Sequence, residues 1–77
     1  MEQFSDNEIR YAVNSIAKDI ITRLVEVEGL SILEAMRLFI QSETFAKLQN
    51  VKTGLVFQSY LYIYSFLENE MKKGISE

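Results

Sequence analysis

Hydrophobic positions along the chain recur at steps of three and four from the first turn onward. Ile9, Val13, Ile16, Ile20, Leu24 and Val27 form one row, the spacing of a helix. Ser5 and Glu8 stand three apart, so each side chain can reach the other's backbone in a capping box. Phe4 and Ile9 occupy the two positions of a hydrophobic staple. Gly29 can take the left-handed conformation that closes a helix. The pattern predicts a first helix over residues 6–28. Ala12, Ala17, Ile21 and Val25 widen its apolar face beyond a single stripe.

A second capping box, Ser31 with Glu34, opens a helix over about residues 32–41. Ile32, Met36, Phe39 and Ile40 are expected on its buried side. Ser42 caps a short helix, "ETFAKL", that turns Phe45 and Leu48 inward. Gly54 reads as a turn at positive φ. Leu55, Val56 and Phe57 are expected to be extended, without a partner strand. The tyrosine alternation "YLYIYSFLENEMKKG" has strand-like spacing at first, but it continues into good helix formers. Tyr60, Tyr64, Leu67 and Met71 share one helical face, with Ile63 beside them. Ser59 can cap the start, and Lys72, Lys73 and Gly74 mark the end. Tyr62 points outward. The expected fold is all-α: one domain over residues 1–77, three main helices and one short helix.

Length and composition limit what such a fold can do. At 77 residues without cysteine, no disulfide or thiolate metal site can supplement the core. The absence of histidine and cysteine removes the commonest bases, nucleophiles and metal ligands. No glycine-rich phosphate loop is present. These features predict no enzyme, no cofactor, no metal and no small-molecule substrate. A net charge of −3 gives no positive field for nucleic acid. No apolar run is long enough to span a membrane. The acidic start "MEQFSDNEIR" is unlike a secretory signal, so a cytoplasmic location is expected.

Charged residues mostly form acid-before-base pairs four apart: Asp6–Arg10, Asp19–Arg23, Glu43–Lys47 and Glu68–Lys72. Each adds about 0.2–0.5 kcal/mol of helix support. Glu26 and Glu28 are unfavourable at a helix C-terminus and are either solvated or an acidic contact for a basic partner. Tyr60 and Tyr64 are expected to fill core volume with their hydroxyls reaching water.

Two functional classes remain. The segment "EVEGLSILEAMRLF" resembles the helix–Gly-Leu-Ser–helix corner of helix-turn-helix and ribbon-helix-helix DNA-binding proteins. That resemblance implies a small DNA-binding regulator whose corner at residues 26–41 would show DNA Glu34, Arg37 and Gln41. One arginine beside a carboxylate is a poor phosphate or base reader. The leading class is a protein-interaction module. Ala17, Ile21, Val25, Tyr62 and Phe66 are its candidate interface residues. Helices of about 10–14 residues cannot alone cover both apolar rows of a first helix about 35 Å long. A homodimer or a protein partner on the first helix is therefore expected, with two-fold antiparallel pairing the simplest closed form. In the alternative, the shorter helices and the 55–57 segment wrap both rows in a complete monomeric core.

A longer pattern lies in "SETFAKLQNVKTGLVFQSYLYIYSFL". Ser42, Thr44, Phe45 and Leu48 form its first part and Thr53, Gly54 and Leu55 its second. Ser59, Tyr62 and Ile63 complete it. Val56 stands where the pattern prefers an aromatic. This stretch resembles short uncharacterised bacterial proteins that lack assigned catalytic residues and are often encoded near toxin-like or mobile-element genes. The resemblance implies a protein-binding accessory role, antitoxin-like, and identifies no active site.

Overall fold

The computed structural model describes residues 5–75. It is all-α, with four helices and two short 3-10 turns. Helix α1 spans Asp6–Glu28, α2 Ile32–Ile40, α3 Glu43–Gln49 and α4 Tyr60–Ile75. The 3-10 turns cover Val51–Thr53 and Leu55–Phe57. No helix among the described residues is long and apolar enough to cross a membrane.

The serines set the helix starts. Ser5 Oγ accepts the Glu8 N–H at 3.1 Å, and the Glu8 carboxylate accepts the Ser5 N–H at 2.8 Å. Ser31 and Glu34 repeat the arrangement at 3.1 and 3.0 Å. Ser42 Oγ accepts from the Phe45 N–H at 3.0 Å and donates to the Phe39 carbonyl at 2.6 Å, so one buried hydroxyl joins the end of α2 to the start of α3. Ser59 Oγ accepts from the Tyr62 N–H at 3.3 Å. The Phe4 half of the staple lies outside the described residues.

Gly29 at φ 73° and Gly54 at φ 75° both take the left-handed conformation, as the turns require. Past Gly54 the structure departs from expectation. Leu55–Phe57 is a 3-10 turn, with the Phe57 N–H donating to the Gly54 carbonyl at 3.1 Å. Without a partner strand an extended segment would leave its backbone groups unpaired. The turn satisfies them locally and still buries Leu55 and Val56. Helix α4 also continues through Gly74 to Ile75.

Helix α1 is the spine and packs on each of the other three helices, most extensively on α2. The core comprises Val13, Ile20 and Leu24 of α1, Ala35 and Phe39 of α2, Leu48 of α3, Leu55 and Val56, and Ile63, Tyr64 and Leu67 of α4. Phe39 meets Phe45 with ring centroids 5.1 Å apart.

Three burial expectations need correction. Val27 is exposed: it lies in the last turn of α1, about 60° around the helix from buried Leu24. On α2, Phe39 is buried, but Ile32, Met36 and Ile40 are exposed. Ala35 and Phe39 form the inward line instead, since small Ala35 allows α2 close against α1. The Tyr64 hydroxyl does not reach water: it is buried and has no hydrogen-bond partner. Arg23 sits over that ring, 5.3 Å from its centroid. Burial pushes the Tyr64 phenol up from 10.0; nearby Glu28 and Glu68 push the same way, against Arg23.

Candidate functional site: an apolar groove between α1 and α2

The exposed line Ile32–Met36–Ile40 is spaced four and four along α2, so it forms one apolar stripe. Ile32 is 63% exposed and Ile40 53%. The first two residues of that stripe face Ala17, Ile21 and Val25 of α1 across a groove of about 490 Å³. The three α1 residues are half-buried: one side packs on the core and the other lines the groove. They therefore belong to both arrangements weighed above, closing the core on one flank and leaving an apolar surface on the other.

The groove arises from a mismatch in bulk. α2 has nine residues against twenty-three in α1, and its core-facing side is the small Ala35 followed by Phe39. The larger side chains, Ile32 and Met36, stand outside that contact line. A monomer gains nothing from apolar side chains held in water, and burying one fully is worth roughly 1.5–3 kcal/mol. Contiguous exposed apolar surface of this kind marks interaction sites.

The rim is polar. Asn14, Lys18, Thr22 and Glu26 recur every four residues along α1, with a cation toward one end and an anion at the other. None of these four is buried.

Tyr62 and Phe66 do not line this groove. They lie on α4, exposed at 50% and 39%, with ring centroids 5.0 Å apart in an edge-to-face pair. The structure thus separates the five candidate interface residues into two surfaces.

A polar cluster that the sequence did not reveal holds α3 to α4. The Glu70 carboxylate accepts the Glu43 N–H at 2.8 Å, the Thr44 N–H at 3.0 Å and the Thr44 hydroxyl at 2.8 Å. These are donors from the first turn of α3, where a negative charge is favoured. Burial pushes the Glu70 carboxyl up, but the Glu43 N–H, the Thr44 hydroxyl and N–H, and the Lys47 charge outweigh it and hold the group below 4.5. The partners are 26 and 27 residues apart, beyond any local sequence signal.

Ser42, Thr44, Thr53 and Ser59 build the fold. Ser42 and Ser59 cap helices, and Thr44 binds Glu70. Thr53 Oγ1 donates toward the Lys47 carbonyl at 2.6 Å and the Asn50 carbonyl at 2.8 Å, and accepts from the Leu55 N–H at 3.3 Å. Among the described residues no cluster of three histidine, cysteine, aspartate or glutamate side chains has metal-binding geometry. No family model matches the chain, and neither the curated proteins nor the solved structures contain a significant match.

Proposed function

We propose that this chain is a non-catalytic protein-interaction module, accessory or antitoxin-like in role, that docks a protein partner in the α1–α2 groove. The observation that carries the reading is the apolar line Ile32–Met36 left exposed opposite Ala17, Ile21 and Val25. The width of α1's apolar face supports it, as does the polar rim. Interfaces of this make-up have an apolar centre and a polar edge.

The DNA-binding alternative draws little from the same surface. Of its expected readers, Glu34 is engaged in capping Ser31. Arg37 and Gln41 share α2's outer surface with exposed Ile32, Leu33 and Ile40. A phosphate backbone is met by cations and polar donors, not by an aliphatic stripe.

A photo-crosslinking residue at Met36, introduced in the native cell, tests the proposal. The expected result is an adduct with one protein of discrete mass, absent when the crosslinker replaces exposed Lys52. Met36 adducts no stronger than those at Lys52 would overturn it.

A further inference from the structure

We infer that the occupant of the groove is α1 of a second copy of this chain, antiparallel, with the two-fold axis crossing between Ile21 and Thr22. The inference rests on the interaction reading above and adds a partner and a register. The groove wall on α1 is self-complementary. In this register Lys18 of one copy faces Glu26 of the other, and the symmetry repeats the pair. The two residues stand eight apart on α1, about 12 Å along its axis. A parallel pairing would set Lys18 on Lys18 and Glu26 on Glu26, which repel.

The apolar row matches about the same axis. Ile21 meets its own copy near the axis, and small Ala17 meets larger Val25, so bulk is opposed to space. Tyr11 provides a separate check. It is 77% exposed. At 100° per residue, Tyr11, Lys18 and Thr22 fall within about 40° on α1, so Tyr11 lies beyond the groove on the same side of the helix as these two. The antiparallel register carries it beyond the C-terminal end of the other copy's α1, to the Gly29 corner. There Ile32 and Leu33 are exposed at 63% and 68%. One register thus covers three large apolar side chains that the isolated chain leaves in water and pairs the two rim charges. A two-fold contact of this kind is closed and self-limiting.

A charge exchange in the full-length chain tests partner and register together. Lys18 and Glu26 are both exposed, so substitutions there leave the core intact. Sedimentation equilibrium of the wild type is expected to give twice the 8.9 kDa chain mass. Lys18→Glu and Glu26→Lys should each weaken the dimer by about tenfold. The double variant should return to within about threefold of wild type. Circular dichroism checks that all four proteins are folded. A dimer that the double variant does not restore overturns the register. A monomer at every concentration overturns the second copy as occupant. Neither result touches the interaction reading, which stands or falls on the Met36 crosslink.

Discussion

Replacing Glu70 with alanine removes the acceptor for three bonds at the start of α3. A hydrogen bond to a charged group is worth about 1.5–3 kcal/mol when its partner is left dry. The Glu43 N–H is exposed and regains water, so it contributes little. Thr44 is 3% exposed, and its N–H and hydroxyl lose their partner where water is scarce. Their sum, discounted for the partial exposure of Glu70 itself, is about 2–3 kcal/mol. A domain of this size has roughly 4–11 kcal/mol of stability, so this is a large share of it, and the thermal midpoint should fall by roughly 8–24 °C. Urea titration followed by circular dichroism measures the free-energy change, and a thermal melt the midpoint. Glu70→Gln separates charge from shape. Because the folded carboxyl is held below 4.5, the native state binds its proton less readily than the unfolded chain. Its contribution is present above that value and is lost as pH falls through the lowered folded one. The wild type should therefore lose stability there faster than Glu70→Gln. A Glu70→Ala variant within about 0.5 kcal/mol of wild type would refute the reasoning.

Other expectations follow from single features. Gly54→Val should cost more than about 1 kcal/mol, because its φ of 75° strains a β-branched residue although a Cβ there meets nothing within 4 Å; a thermal melt reads it. Tyr64→Phe removes a buried hydroxyl without a partner, so it should leave urea stability unchanged or raise it by about 1 kcal/mol. Ser5→Ala should cost about 1 kcal/mol and speed hydrogen exchange at residues 6–9.

Much of this fold is legible in the sequence because its helix starts are chemical. Ser5 with Glu8, Ser31 with Glu34, and Ser42 announce three helices, and Gly29 and Gly54 announce two turns. The direction of α2 was not legible. In "ILEAMRLFI" only Glu34 and Arg37 are polar, so periodicity cannot choose among several apolar faces. Close approach at Ala35 makes the choice and sends Ile32, Met36 and Ile40 outward. Half of the groove was therefore visible as the width of α1's apolar face, through Ala17, Ile21 and Val25. The other wall was concealed by the expectation that it was core. Glu70 went unseen for a different reason: its partners are distant in sequence, and an exposed-looking "LENEMKK" gives no hint of a cap for another helix.

Thermal melting of wild type and Ile32→Glu over a wide range of protein concentration tests self-association through the groove most directly. Ile32 is the first residue of α2 and 63% exposed, and a carboxylate there is favoured by the helix dipole, so the variant is expected to fold, which circular dichroism checks. Association that stabilises the folded state makes the midpoint rise with concentration. The account predicts such a rise for wild type and a flat midpoint for Ile32→Glu. A wild-type midpoint that does not move, or a variant that rises as steeply as wild type, would contradict self-association through the groove.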